Sequence, residues 1–385
     1  MTEIQKIDDL FVANTYKRFP ITLVKGKGSL YYDEHGKEYI DMGTGIGVTC
    51  FGACDDEWKS AVIGQLSTLP HTSNLYYTEP CAMLAKTLCE RTGLKKVFFS
   101  NSGAEANECA IKAVRKHFED KTGKQGYVIT LTNSFHGRTL TTLSATGQDK
   151  FHELFNPLTS GFLHADVGDI ETIKKYVKDY PVCAIMIELV QGEGGVNALS
   201  KEFVKSLKTI CEENDALLVV DEVQTGNGRT GKLYAFEHYD ILPDVVTTAK
   251  GLGGGLPIGA CMLGEKVENV FTYGTHGSTF GGNPIASAGA LSIINRLTPK
   301  FLKEVEEKSK FIFNELSSAN GVESVSGLGL MIGIKTKKPI SEVVDYCLKN
   351  GVLVLTAKDK LRLLPPLNIE NEHLTKALKI IKQAL

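Results

Sequence analysis

The chain reads as an α/β protein: a large domain with a mostly parallel sheet, joined to a smaller α+β domain made from both chain ends. Three patterns predict this. Short β-branched apolar runs alternate with amphipathic stretches through the middle of the chain, the arrangement that covers both faces of a parallel sheet. The runs are KKVFFSN (95 to 101), YVITL (127 to 131), VCAIMIE (182 to 188), ALLVVDE (216 to 222), DVVTTAK (244 to 250) and IGACMLG (258 to 264). Helical spacing recurs between several of them, at Ala110, Ile111, Val114 and Phe118 and again at Phe203, Leu207 and Ile210. The ends differ: residues 21 to 43 read as a meander turning at D-E-H-G-K. Beyond Pro284 come helices to about Asn295 and Ser317, strand-like GLMIGIK and GVLVLT, and a last helix from about Asn371. The reading divides the chain at 1–48, 49–282 and 283–385, with the large domain in the middle.

A chain of 385 residues has room for two to three domains at roughly 150 residues each. Lys and Arg number 43 against 45 Asp and Glu, a net charge of −2, so no basic excess draws the chain to nucleic acid or an anionic membrane. The start, MTEIQKIDDL, is polar and acidic where a signal peptide would be basic and then apolar, and no run of about 18 apolar residues occurs. We therefore expect a cytoplasmic protein. Its nine cysteines form no C-x-x-C pair and suggest no metal centre; they read as reduced, mostly buried small hydrophobes.

Two glycine-rich segments look like anion sites. Gly226-Asn227-Gly228-Arg229-Thr230-Gly231-Lys232-Leu233 matches G-x-G-x-x-G and most of a P-loop, but Leu233 lacks the hydroxyl that would hold Mg²⁺ and no helix clearly follows. The better site is Ser100-Asn101-Ser102-Gly103-Ala104-Glu105, where a strand ends and a helix begins, with Ser102 and Glu105 at capping-box spacing. Free N–H groups of Gly103 and Ala104, with the Ser102 hydroxyl, suit a phosphate there. An ordinary N-cap accounts for the same residues taken alone.

The run to Val220 ends in Asp221-Glu222-Val223-Gln224, and Asp244 to Ala249 ends in Lys250 before a glycine run. Both lie at carboxyl ends of buried strands, where open α/β sheets bind ligands. A lysine partly removed from water has a lowered pKa and a free amine able to condense with a carbonyl. Alone, Asp221 could cap a helix and Lys250 could snorkel to water. Together with the helix start they fit pyridoxal phosphate, which needs a lysine for its aldehyde, a carboxylate for its ring nitrogen and an N-terminus for its phosphate. Phe135, in Phe135-His136-Gly137-Arg138, offers an aromatic face for the ring.

These blocks, with SNLYYTEP (73 to 80), QGEGGV (191 to 196), HGSTFGGNP (276 to 284) and RLLPPL (362 to 367), run in an order that resembles the class III pyridoxal-phosphate aminotransferases, of fold type I, and among them the acetylornithine branch. The resemblance spans nearly the whole chain and absorbs G-x-G-x-x-G into the loop after Asp221. It implies catalytic Lys250 and Asp221, with Ser102, Gly103, Ala104, Phe135 and Gln224 around the cofactor. Thr279, beside Ser278, would reach a phosphate of the neighbouring subunit, which implies a homodimer with shared sites.

For substrates, the resemblance assigns Arg138 to the carboxylate of N2-acetyl-L-ornithine, Arg362 to that of L-glutamate or 2-oxoglutarate, Ser278 to the substrate side, and Glu193 to a switch that pairs with Arg362. Arginine suits these places because its planar fork grips a carboxylate bidentately. The implied reaction gives N-acetyl-L-glutamate 5-semialdehyde and glutamate in two half-reactions, within arginine biosynthesis. Ornithine, succinylornithine and 4-aminobutyrate aminotransferases, and aminomutases, share most of these residues. A catalytically idle relative is the alternative of another class, and retention of Lys250, Asp221 and both arginines argues against it.

Overall fold

A computed structural model describes all residues, 1–385. At its centre lie β1 (Lys96–Ser100), β2 (Tyr127–Leu131), β3 (Phe162–Ala165), β4 (Val182–Ile187), β5 (Leu217–Asp221), β6 (Val245–Thr248) and β7 (Gly259–Leu263), in the order β1-β7-β6-β5-β4-β2-β3. Only β7 is reversed, pairing antiparallel with both β6 and β1. The remaining neighbours pair in parallel. Two reversals cancel across β7, so β1, β5 and β6 all point their carboxyl ends to one edge. That edge receives Ser100, Asp221 and, just past Thr248, Lys250.

Period-2 alternation explains why these strands are apolar throughout. Leu218 and Val220 enter one core cluster while Leu217 and Val219 enter the other, on the opposite face. The Gly103–Thr122 helix covers the second face through Ala110, Ala113 and Val114, and Phe203, Leu207 and Ile210 of the Lys201–Glu213 helix cover the first. β3 lacks the sequence signal of the other six strands. It is a short edge strand, FLHA, without the β-branched run that marks its neighbours.

The chain ends meet in a four-stranded sheet in which Leu23–Lys27, Leu30–Asp33 and Glu38–Asp41 are joined by Val352–Leu353. A second four-stranded sheet, from Val322–Leu328, Met331–Thr336, Leu355–Ala357 and Lys360–Leu363, carries Arg362. Its 355–363 hairpin is tied back to the large sheet's loops, since Lys358 donates to Asn133 and Lys360 Nζ donates to Asn197 Oδ1 at 2.8 Å. Buried Arg229, from the loop after β5, donates to the Leu330 and Pro365 carbonyls at 3.2 and 2.6 Å. It thus clamps the same sheet to the loop after β5. Hydrogen bonds from a charged donor contribute about 1.5–3 kcal/mol each. Arg229→Met is therefore expected to lower stability by roughly 2–4 kcal/mol, read as a fall in the urea unfolding midpoint.

Candidate active site

The edge fixed by the strand directions opens into a cleft of about 570 Å³ whose walls include Ser102, Gly103, Ala104, Phe135, Arg138, Asp221, Gln224 and Lys250. Seven of these are the expected cofactor and catalytic residues and the eighth is a substrate arginine. Glu193 and Arg362 stand just behind Gln224, whose Oε1 accepts from Arg362 Nη1 at 3.3 Å. Ser278 and Thr279 are elsewhere. They line a separate pocket with Ser100, Asn101 and His276, and Thr279 is exposed. The Ser278 hydroxyl is occupied by the Gly281 N–H at 3.0 Å and Asn101 Nδ2 at 3.3 Å.

The helix start forms as expected except in one bond. Ser102 Oγ accepts from the Glu105 N–H at 3.2 Å, but the Glu105 carboxylate accepts from the Asn101 N–H at 2.5 Å rather than from Ser102. Only half of the expected capping box is present, since the Glu105 carboxylate takes the amide one residue before Ser102. Gly103 has a steric reason to be glycine: a Cβ there would lie 2.6 Å from Val223 Cγ1. Without one, the loop after Asp221 closes against the first turn of the helix.

Asp221 is 4% exposed and held from three directions. Its Oδ2 accepts from Asn107 Nδ2 and bonds His136 Nδ1, both at 2.8 Å, while Oδ1 accepts the Val223 N–H at 3.0 Å. Asn107 is itself locked by donation to the His136 carbonyl at 2.7 Å and by the Thr247 hydroxyl at 2.6 Å. One lone-pair direction of Oδ1 stays free. Burial opposes the His136 imidazolium, but the Asp221 hydrogen bond and charge, with the Glu188 charge, outweigh it and raise the His136 pKa. Burial likewise lifts the Glu188 carboxyl to about 7. That carboxyl accepts the Phe135 N–H at 2.9 Å and the Gly192 N–H at 3.4 Å.

Lys250 begins a short 3₁₀ turn with φ +43°, a conformation a lysine adopts at a cost. Its amine makes no hydrogen bond and no ion pair with the chain. Burial, the dominant cause, and the Arg362 charge lower its pKa; Glu193, Asp221 and Glu188 act in the opposite sense without reversing the shift. The arginines contrast. Arg362 is buried and paired with Glu193 Oε1 at 2.5 Å, its Nε left without a partner. Arg138 is exposed, has no acidic partner, and lies 5.5 Å from the Phe135 ring centre.

Pyridoxal phosphate fits this donor set. The unpartnered Lys250 amine, the free direction of Asp221 Oδ1, the uncommitted Gln224 amide nitrogen and the open N-terminus at Gly103 and Ala104 are what an aldehyde, a ring N–H, a ring hydroxyl and a phosphate require. His136, Asn107, Glu188 and Tyr16 also line the cleft and were not singled out as site residues. His136 lies inside Phe135-His136-Gly137-Arg138 and Asn107 just beyond Glu105, but nothing in spacing ties either to Asp221. Tyr16 carried no signal at all.

Comparison with known proteins gives the family. A family model described as aminotransferase class-III matches residues 11–385. The acetylornithine aminotransferase of Haemophilus ducreyi is 48% identical, covering 100% of this chain and 98% of its own. Among solved structures, ornithine aminotransferase from Toxoplasma gondii superposes with TM-score 0.94 at 31% identity, covering 100% of this chain and 94% of that one. N-acetylornithine aminotransferase from Stenotrophomonas maltophilia K279a has TM-score 0.85 at 34% identity, covering 98% and 97%.

A raised histidine pKa has a pH signature. The stability His136 lends is fully present below its unfolded pKa of about 6.5 and is lost as pH rises through the higher folded value. From about pH 6 to pH 9 the urea midpoint should fall more in the wild type than in His136→Gln, and parallel curves would contradict the pairing.

Proposed function

Because this chain belongs to the class III aminotransferases, we propose that it moves the terminal amine of N2-acetyl-L-ornithine to 2-oxoglutarate, forming N-acetyl-L-glutamate 5-semialdehyde and L-glutamate, a step of arginine biosynthesis. One observation carries the two-substrate reading: Arg362 is covered by Glu193 while Arg138 is bare. Glutamate brings two carboxylates, one beside the reacting carbon and one at the far end. Acetylornithine has only a far one, at a comparable remove from its reacting carbon. Arg138 then reads the far carboxylate of either substrate. Arg362 reads the near carboxylate of glutamate, and Glu193 covers it when the other substrate is bound, since an unpaired buried charge costs several kcal/mol.

The enzyme depends on pyridoxal phosphate, which when bound supplies an aldehyde to take the amino group and a cationic ring to draw electrons from the substrate carbon. In this proposal Asp221 keeps the ring nitrogen protonated, its own position set by Asn107 and His136. Gln224 meets the ring hydroxyl, and Gly103, Ala104 and Ser102 hold the phosphate. Phe135 covers one ring face. Lys250 would hold the aldehyde and, as a neutral amine favoured by its lowered pKa, would accept the proton that leaves the substrate carbon.

We further place Thr279, with Ser278 beside it, at the phosphate of a second subunit and read the protein as a cytoplasmic homodimer. Supporting this, Leu75, Tyr76, Tyr77, Tyr273 and Phe280 are exposed beside Thr279. The two segments that carry them are joined where Asn74 Nδ2 donates to the Ser278 and Gly281 carbonyls at 2.9 and 3.0 Å. No helix is long and apolar enough to cross a membrane. Residues 1–48 and 283–385 are read as a smaller domain around the 49–282 unit.

Glutamate formation from acetylornithine, succinylornithine, ornithine and 4-aminobutyrate should be fastest with acetylornithine. Lys250→Ala should reduce it by at least about 10²- to 10⁴-fold, and a faster rate with free ornithine would overturn the substrate assignment. Glu193→Ala should shift the ratio of half-reaction efficiencies toward glutamate by about tenfold, the equivalent of roughly 1.4 kcal/mol, measured by rapid-mixing absorbance. An unchanged ratio would remove Glu193 from the switch.

A further inference from the structure

Arg138 has no carboxylate, carbonyl or hydroxyl partner, yet a guanidinium that must meet a substrate carboxylate bidentately needs a fixed plane. What holds it is aromatic. Its Cζ lies 4.2 Å from the centre of the Phe151 ring, closer than the 5.5 Å to Phe135. The two rings meet edge to face, with centroids 6.1 Å apart and planes at 75°. Lys150 approaches the Phe151 ring as well, its Nζ 4.7 Å from the centroid.

Phe151 is itself anchored on both sides. Its N–H bonds the Gln148 carbonyl at 3.0 Å, and buried Gln148 donates through Nε2 to the Ser134 carbonyl at 2.9 Å. His152 Nε2 reaches the Thr146 carbonyl at 2.7 Å. The segment that carries the ring is therefore tied to the loop that carries Phe135 and Arg138. We propose that Phe151 is a positioning residue for carboxylate recognition: its face orients the Arg138 guanidinium so that its N–H groups stay directed at the far carboxylate of the substrate. This rests on the role given to Arg138 above, and it adds a residue outside the cleft wall to the determinants of substrate choice.

The test compares wild type, Phe151→Leu and Phe151→Tyr as holoenzymes. Half-saturating concentrations are read from single-turnover absorbance with acetylornithine, L-glutamate and L-alanine. Alanine has no far carboxylate. Phe151→Leu should raise the value for acetylornithine and glutamate by roughly 3- to 30-fold, the span of a cation–π contact, and leave alanine unchanged. Phe151→Tyr, which keeps a ring face, should behave as wild type. Calorimetric binding of glutarate, which has both carboxylates and no amine, should weaken in Phe151→Leu by the same factor as glutamate.

An equal loss with alanine, or no loss with glutamate, overturns the proposal, as does a Phe151→Tyr protein that matches Phe151→Leu. A wild type that transaminates glutamate but not acetylornithine overturns the substrate reading instead, and the glutamate, alanine and glutarate comparisons still decide the role of Phe151.

Discussion

The site depends on one buried carboxylate whose oxygens meet protein donors where water cannot reach. Asp221 ends a strand whose residues are buried on both faces, and Asn107, His136 and the Val223 amide satisfy its oxygens in place of water. That ring of donors fixes its direction too. Thr247, on the next strand, holds Asn107, and Asn107 holds the His136 backbone, so the sheet positions the loop that carries Phe135 and Arg138. Burial cost, strand register and the aim of the carboxylate are one arrangement.

In the proposed function the two arginines divide the recognition of carboxylates by different physics. Arg362 rides on a hairpin tied to the large sheet's loops, and an ion pair that a substrate carboxylate can replace keeps its charge neutralised. Arg138 stays exposed, where water shields its charge and aromatic faces set its plane. A buried arginine needs a switch because leaving it unpaired is expensive, and an exposed one needs only a support.

Much of this was legible in the residues. The strands β1, β2 and β4 to β7 declare themselves by β-branched apolar runs. Lys250 and Asp221 follow from strand ends, because an ionisable residue after a buried run has to face the sheet edge. Arg138, Glu193 and Arg362 became legible only through resemblance, since an arginine's partner is a fact of three-dimensional proximity. His136 carries no signal for the same reason: its bond to Asp221 spans 85 positions. Phe151 lies in a short 3₁₀ turn with no periodicity to mark it. The half-formed capping box shows the limit of spacing rules, which fix which residues are near but not which amide turns inward.

The most direct measurement is the location of the covalent bond. Purified protein loaded with pyridoxal phosphate, reduced with borohydride and digested, should carry the pyridoxyl mass on the peptide that contains Lys250 and on no other lysine. A label found elsewhere, with Lys250 unmodified, would contradict the account at its root.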